Sequence, residues 1–361
     1  MKKPFFDHYI FSGTYQEVGR QHGEALRERI REHLELTYAN AARVSGIGKE
    51  KALHLASLYI TYIDKYSHGF LEEIRGLSEG AGITQTEALL LQVRQEATYL
   101  SLYGGGFESE CSSYVAGPGY TADGKMYAGQ NADLPGDFEN VANVVTFAVK
   151  GRPKVMMIVP AGQISYLGMN SEGISVNCNF LACDGWKRGY PRYLISRLLL
   201  EERTFEKACT ALCGLKERSS SRNVLLADRN GRIANFETTS SDMARIDANE
   251  AFVHTNHFID ARMQRYEKAT GSAWVDTHWR YYRLRQLMEN NKGKITSDLL
   301  KDILRDHLKD PVMNKISLCV HACEESGLYH TFTSMIENLT DLTLEATRGN
   351  PCGGEYKSYS F

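Results

Sequence analysis

Cys111 is the residue in this sequence that is best placed for covalent chemistry. It follows the glycine-containing stretch at 104–110 and opens the segment CSSYVA, which is rich in strand-forming residues. A cysteine at the start of a strand is more often a small buried hydrophobe than a nucleophile. The interpretation of Cys111 therefore depends on the residues that the fold brings beside it.

The segment after Cys111 predicts a hairpin that returns a carboxylate to the cysteine. A turn signal at 123–124 separates CSSYVA from KMYAGQN, and the second strand runs into GQNAD at 129–133. Because a hairpin lays its second strand beside its first, Asp133, 22 residues after Cys111, is expected close to it. A carboxylate at that place could hold a positively charged α-amino group.

Helices and strands are segregated along the chain. The first hundred or so residues indicate helices, with capping-box patterns at Thr14-x-x-Glu17 and Thr84-x-x-Glu87. After residue 110 the predicted strands, many joined by short turns, are CSSYVA, KMYAGQN, VVTFAV, KVMMIVP, GISVNCN, NVLLAD, RIANFET and AFVHTN. Later helices are predicted at YLISRLLLEE, at 205–213, at WRYYRLRQLMEN and at DLLKDILRDHL, before further strands near the C-terminus.

This order of elements favours an α+β protein with layers of antiparallel sheet covered by helices. Neither an internal repeat nor a low-complexity linker divides the 361 residues, so one compact domain with a helical N-terminal part is expected.

The composition is that of a globular protein with small partners. The hydrophobic fraction is 42%, the charged fraction is 24% and the formal net charge is -2, which gives no global field to attract nucleic acid or anionic lipid. The start lacks a long apolar run, and no later stretch is apolar enough to span a bilayer, so a cytoplasmic protein without membrane contact is expected.

The eight cysteines predict free thiols, since no two of them form Cys-x-x-Cys. His254, His257, Cys319 and Cys323 could in principle supply four zinc ligands, but their spacings are not those of a standard zinc motif. The sequence therefore predicts no metal and no cofactor.

Five groups of short motifs occur, each once, along most of the chain. They are Gly13-Thr14…Val18-Gly19…His22-Gly23, Glu73-Ile74-Arg75-Gly76, Cys111…Gly129-Gln130-Asn131-x-Asp133, Gly168-Met169-Asn170-Ser171-x-Gly173…Val176-Asn177-x-Asn179, and His254-Thr255-Asn256-His257. In this order they resemble the penicillin acyltransferase family (acyl-coenzyme A:6-aminopenicillanic acid acyltransferase-like) of N-terminal-nucleophile hydrolases. The hairpin with Cys111 is also similar to the choloylglycine hydrolases and penicillin V acylases.

The resemblance implies a four-layer αββα sandwich, the N-terminal-nucleophile hydrolase fold, made as a precursor that cuts itself between Glu110 and Cys111. Residues 1–110 would become a helical α chain, and residues 111–361 a catalytic β chain within the same compact domain. Asp133 is then expected to orient the new α-amino group, and Asn256 to help form the oxyanion hole. Asn179 and Asn131 are the further candidates for an oxyanion or substrate contact.

Self-cleavage would solve a problem of acid–base chemistry. A thiol of ordinary pKa, about 8.5, is only slightly ionised at neutral pH and normally needs a base, and the sequence offers no evident histidine near Cys111. A free α-amino group on Cys111, with an ordinary pKa of about 7.7–8.0, could be that base.

The chain departs from the family pattern at two places. Glu110 stands where the penicillin enzyme has glycine, so cleavage with different sterics and charge is expected. The family arginine near the C-terminal strands has no clear counterpart, and the chain offers His321 and His330 there instead. Substrate recognition is therefore expected to differ, while His257 and His321 are expected to be structural or to line a pocket.

The sequence thus predicts an amidase or acyltransferase that acts on the linear amide bond of a small N-acyl compound through an acyl-Cys111 thioester. An acyl-coenzyme A or an amine is a candidate co-substrate. The sequence does not decide whether the protein forms a homo-oligomer. Two alternatives remain: a papain-like cysteine peptidase with Cys111 and a distant histidine such as His254, or an uncleaved, non-catalytic binding protein with an inert Cys111.

Overall fold

The computed structural model describes residues 4–99, 111–135, 137–307, 317–322 and 329–361. Its α-helices are α1 Tyr15–Ala25, α2 Arg27–Ser45, α3 Lys49–Ser57, α4 Ile60–Ala81, α5 Gln85–Tyr99, α6 Phe138–Val141, α7 Arg192–Leu200, α8 Phe205–Gly214, α9 Gly271–Asn290 and α10 Ser297–Leu304. Both predicted capping boxes are present: the Thr14 and Thr84 hydroxyls accept the N–H of Glu17 and Glu87, and each glutamate accepts the threonine N–H in return.

The strands are β1 His8–Gly13, β2 Cys111–Ala116, β3 Tyr127–Pro135, β4 Ala142–Val149, β5 Val155–Pro160, β6 Leu167–Asn170, β7 Ile174–Asn179, β8 Arg222–Asp228, β9 Ile233–Thr238, β10 Met243–Ala248, β11 Ala251–His254, β12 Tyr329–Asn338, β13 Thr343–Ala346 and β14 Lys357–Ser360. Among the described residues they form an eight-stranded sheet, β1-β4-β5-β6-β7-β8-β9-β10, and a six-stranded sheet, β11-β2-β3-β12-β13-β14. All pairs are antiparallel except β1 with β4.

The two sheets pack face to face between two layers of helices, as the predicted αββα sandwich requires. Strands β2 and β3 of the six-stranded sheet contact β7 of the eight-stranded sheet. Helices α1, α7 and α8 cover the outer face of the larger sheet, and α9 and α10 cover the outer face of the smaller one. The inner strands β2 and β7 are buried along their whole lengths.

The N-terminal part is not entirely helical, which corrects the description of residues 1–110 as a helical segment. Strand β1 pairs with β4 at the edge of the eight-stranded sheet, with His8 opposite Val144 and Gly13 opposite Val149. Its sequence, HYIFSG, is short and gives no clear alternation, so its partner strand decides its conformation. The strands β6 and β10 were also not predicted.

The glycines of the first two family-like motifs form a close helix crossing. A Cβ on Gly19 of α1 would lie 1.9 Å from the Glu73 carbonyl oxygen, and one on Gly76 of α4 would lie 2.1 Å from the Gln16 carbonyl oxygen. The backbones of α1 and α4 can approach this closely only because neither residue has a side chain.

Candidate active site

Cys111 is the first residue of β2, in the inner layer of the sandwich. It lies opposite Ala132 of β3, as the predicted hairpin requires, and only 5% of its surface is exposed. Its main-chain N–H donates to Asn256 Oδ1 at 2.8 Å. The atom that would become an α-amino nitrogen after cleavage is therefore held by one of the predicted site residues.

Arg280 of α9, which the sequence analysis missed, binds both Cys111 and Asn256. Its guanidinium donates to the Cys111 carbonyl oxygen at 2.9 Å, to Ser112 Oγ at 3.0 Å and to Asn256 Oδ1 at 3.0 Å. The buried carboxylate of Asp276, one turn earlier, accepts from Arg280 Nε at 2.7 Å. A run such as WRYYRLR normally indicates a solvated helix face, so the only sequence signal was the i, i+4 spacing of Asp276 and Arg280.

These contacts fix the orientation of the Asn256 amide. Because both the Cys111 N–H and the Arg280 guanidinium donate to Asn256 Oδ1, the amide NH2 group points the other way, where it donates to the Phe180 carbonyl oxygen at 3.0 Å. One of its two N–H bonds serves Phe180, and the second is the one that could reach an oxyanion.

Asn179, at the end of β7, joins the two sheets at the cysteine. Its Nδ2 donates to the Cys111 carbonyl oxygen at 3.0 Å, and its Oδ1 accepts from Ser113 Oγ at 2.7 Å and from Asn223 Nδ2 at 3.0 Å. The structure therefore brings Asn179, Asn256 and Cys111 together through side-chain to main-chain hydrogen bonds.

Asp133 lies beside the cysteine thiol at the end of β3. Its main-chain N–H donates a hydrogen bond to the Cys111 sulfur. Its carboxylate is fully buried and accepts a hydrogen bond from Thr331 Oγ1 at 2.6 Å. In the uncut chain the Cys111 N–H bonds to Asn256, so the expected contact of Asp133 with a charged α-amino group remains a prediction for the cleaved protein.

The surroundings of Cys111 suppress thiolate formation in the uncut chain. Burial, and after it the negative charge of Asp133, raise the pKa of the Cys111 thiol to about 12, against the smaller opposing effects of the Asp133 N–H and the Arg280 charge. A thiol with this pKa is almost entirely protonated at neutral pH, so a reaction at its sulfur requires a base to take the proton.

A small cavity opens beside the thiol between the sheets and α7. Its volume is about 20 Å³, enough for one water molecule. Gln95, Cys111, Leu134, Tyr166, Leu167, Cys178, Asn179, Phe180, Arg192, Tyr193 and Arg222 line it. Its wall thus combines aromatic rings with two buried arginines, and the Arg192 guanidinium stacks on Phe180 at 4.9 Å and on Tyr193 at 5.2 Å.

Asn131 has a different environment from the other predicted site residues. Its Nδ2 donates to the carbonyl oxygens of Leu304 and Leu318 at 2.9 and 2.7 Å, both in the outer layer behind β3. Since both N–H bonds are used, this NH2 group fastens that layer to the sheet, and the suggested oxyanion or substrate contact gains no support from its hydrogen bonds.

The histidines of the His254–His257 segment have structural partners. His254 binds the Thr255 carbonyl oxygen and Glu237 Oε1 at 2.7 and 2.8 Å through its two ring nitrogens. Burial lowers the pKa of His257 to about 2, so its ring is neutral, and its Nδ1 lies against the hydroxyls of Thr255 and Thr277. These contacts agree with the expectation that His257 is structural.

An αββα sandwich with this order of elements is the fold of the N-terminal-nucleophile hydrolases, and the chain is an enzyme of that class, in its amidase and acyltransferase group. Residues 120–351 match the model of the acyl-coenzyme A:6-aminopenicillanic acid acyl-transferase family, so the chain belongs to this family and the resemblance stated from its motifs is confirmed. The matched range begins after Cys111, so the assignment of the nucleophile depends on the geometry described above.

The chain is also similar to individual known proteins. The chain is 27% identical over 260 residues to the 40 kDa form of acyl-coenzyme A:6-aminopenicillanic-acid-acyltransferase from Emericella nidulans. The matched region covers 70% of this chain and 69% of that protein. Among solved structures it is similar to a mutant of conjugated bile acid hydrolase from Clostridium perfringens, with 13% identity, a TM-score of 0.43 and coverage of 70% and 97% of the two chains. It is also similar to penicillin V acylase from Agrobacterium tumefaciens, with 12% identity, a TM-score of 0.45 and coverage of 65% and 82%.

None of the helices in the described part of the chain has the length and apolar character needed to cross a membrane.

Proposed function

We propose that this protein cuts itself between Glu110 and Cys111 and that Cys111 then hydrolyses or transfers the acyl group of a small N-acyl amide. The observation that carries the proposal is the set of bonds around Cys111. Asn256 holds its nitrogen, Asn179 and Arg280 hold its carbonyl oxygen, and its sulfur lies beside Asp133. Glu110, the other side of the proposed cut, lies outside the described residues.

The first reaction would be an acyl shift within the chain. The Cys111 sulfur attacks the Glu110 carbonyl carbon, the thiol proton passes to the departing Cys111 nitrogen, and the carbon–nitrogen bond breaks to leave a thioester. Water then opens the thioester, which gives a Glu110 carboxylate, a free thiol and a free α-amino group. The new amine supplies the base that the high pKa of the buried thiol requires.

In each turnover the α-amino group would accept the thiol proton as the sulfur attacks the substrate carbonyl. The second N–H of Asn256 is the candidate donor to the oxyanion, and the amine would pass its proton to the leaving nitrogen. Water completes hydrolysis of the acyl-Cys111 thioester, and an amine completes acyl transfer. Hydrolysis is the first choice, because the sequence lacks an evident coenzyme A motif.

The cavity wall supports a substrate whose acyl group is apolar or aromatic and carries a negative charge. Tyr166, Phe180 and Tyr193 offer ring faces, and the buried Arg192 has an Nη1 without a hydrogen-bond partner among the described residues. The volume of about 20 Å³ holds no acyl group, so we expect substrate to bind only after cleavage opens the site.

The papain-like alternative receives less support. It requires a histidine as the base for Cys111, but both ring nitrogens of His254 are engaged by Glu237 and Thr255. The alternative of a non-catalytic binding protein with an inert Cys111 would also fit the buried, protonated thiol. The self-cleavage experiment below distinguishes it from the proposal.

The test compares the wild type with Cys111→Ala after incubation at neutral pH. Denaturing mass spectrometry should find pieces of 110 and 251 residues in the wild type, with Cys111 at the new N-terminus, and only the intact chain in the variant. The processed protein is then offered N-acyl p-nitroanilides, in pairs with neutral and carboxylate-terminated acyl chains. If the wild type stays intact and inactive, the self-cleavage mechanism is excluded. If it cleaves but hydrolyses none of these amides, the proposed amidase activity is excluded for these classes of acyl group.

A further inference from the structure

Two histidines and two cysteines converge at the surface behind β3, away from the Cys111 cavity. They are His307 just after α10, Cys319 and His321 in the segment 317–322, and Cys352 in the turn before β14. Each offers one ligand atom, and these four atoms all lie within 4.8 Å of one another. The nitrogens of His307 and His321 are 2.9 Å apart, and His321 Nε2 lies 3.3 Å from Cys352 Sγ and 3.7 Å from Cys319 Sγ.

These separations are close to those of a tetrahedral zinc site. With zinc–sulfur bonds of about 2.3 Å and zinc–nitrogen bonds of about 2.0 Å, two nitrogens lie about 3.3 Å apart and a nitrogen and a sulfur about 3.5 Å apart. A shift of a few tenths of an ångström would bring the four atoms onto one ion. A set of two cysteines and two histidines fills all four positions of a structural zinc ion.

Two hydrogen-bond donors are directed at the Cys319 sulfur. Asn350 Nδ2 donates to Cys319 Sγ at 3.4 Å and also to the Val320 carbonyl oxygen at 2.6 Å. The main-chain N–H of Cys352 is also directed at the Cys319 sulfur. Cys319 and Cys352 are both free cysteines in the structure. Donors to the ligand sulfur are typical of the shell around a metal site.

The four ligands come from three separate pieces of chain that support the active-site strand. Asn131 on β3 binds the carbonyl oxygens of Leu304 and Leu318, which flank the ligands His307 and Cys319. The Val320 N–H, between Cys319 and His321, donates to Thr331 Oγ1, and that hydroxyl donates to the Asp133 carboxylate. An ion at this place would tie these pieces together directly behind Asp133.

We propose that His307, Cys319, His321 and Cys352 bind one structural Zn²⁺, which holds the outer layer against β3. Each thiol releases its proton to solvent as its sulfur binds the ion. The proposed set shares only Cys319 with the set considered from the sequence, in which His254 is bound to Glu237 and Cys323 lies outside the described residues. The ion takes no part in the chemistry at Cys111.

The test measures metal on the full-length chain, purified without a histidine tag and without chelator. Elemental analysis and native mass spectrometry should find one zinc per chain in the wild type and almost none in Cys352→Ser or His321→Asn. Cys213→Ser is the matched control, because Cys213 is a partly buried cysteine in α8 that is not one of the four proposed ligands, and it should keep the zinc. Chelation should lower the melting temperature of the wild type and leave that of Cys352→Ser unchanged.

A second measurement needs no variant. Chelated wild type is titrated with Co²⁺, which should bind one ion with the absorption bands of a tetrahedral site that has thiolate ligands, and Zn²⁺ should displace it. The proposal is overturned if chelated wild type binds neither ion at one equivalent, if Cys352→Ser keeps its zinc, or if Cys319 and Cys352 form a disulfide in freshly purified protein. None of these readouts depends on activity at Cys111.

Discussion

Cleavage should change the reactivity of Cys111 by orders of magnitude. In the uncut chain the pKa of this thiol rises from 9.0 to about 12 because of burial and the Asp133 charge. Three pKa units correspond to about 4 kcal/mol and to about a thousandfold less thiolate at neutral pH. After cleavage the nitrogen of the same residue becomes an amine that can take the thiol proton, so the barrier to thiolate chemistry falls.

A pulse of iodoacetamide on a partly processed sample measures this difference in one tube. The intact chain and the 251-residue piece are separated under denaturing conditions, and alkylation of Cys111 is quantified in each by peptide mass. We expect Cys111 to react at least about a hundredfold faster in the piece at pH 7.5, because thiolate is the reacting form. Cys213, a partly exposed cysteine of α8, provides the internal reference.

The pH dependence sharpens the same test. Alkylation of the piece should level off near the pKa of an α-amino group, about 8, whereas that of the intact chain should still rise at the highest pH tested. Equal rates in the two forms, after correction by Cys213, would refute the reasoning that burial suppresses thiolate formation in the uncut chain and that the released amine relieves this suppression.

Three further outcomes are expected. Asn256→Asp keeps an oxygen for the Cys111 N–H and Arg280 but loses the amide donor, so self-cleavage should slow about 10²–10³-fold in a mass-spectrometric time course. Arg280→Gln leaves the buried Asp276 charge uncompensated and should lower the free energy of unfolding by about 3–5 kcal/mol in urea titrations. Burial raises the pKa of Glu337 to about 7, so Glu337→Gln should remove up to about 3 kcal/mol of pH dependence from stability between pH 4.5 and 7.

The sign of the Glu337 effect follows from the raised pKa. The protonated carboxyl stabilises the fold fully below pH 4.5, and this contribution is lost as pH rises through about 7. A Gln variant with the wild-type pH profile would contradict the assignment.

For Arg280, the double variant with Asp276→Asn should recover part of the loss, and a loss below about 1 kcal/mol in the single variant would contradict a buried ion pair. If the Asn256→Asp variant cleaves itself at the wild-type rate, Asn256 does not donate to the oxyanion.

The local elements could be predicted from the sequence because their signals are local. The capping boxes of Thr14 and Thr84 and the hairpin from Cys111 to Asp133 depend on residues that are near one another along the chain. Strand β1 could not be predicted in this way, since its pairing with β4 joins residues more than a hundred positions apart.

The sequence by itself determined the fold class, the place of Cys111 at the start of a strand, and the family to which the chain belongs. Only the tertiary structure decided which groups surround the cysteine. Arg280 reaches it from a helix whose sequence indicates a solvated surface, and the four proposed zinc ligands meet from three segments with no motif spacing. Side-chain environments are set by packing between distant segments, and this packing also determines burial, the pKa of the thiol and the direction in which the Asn256 amide points.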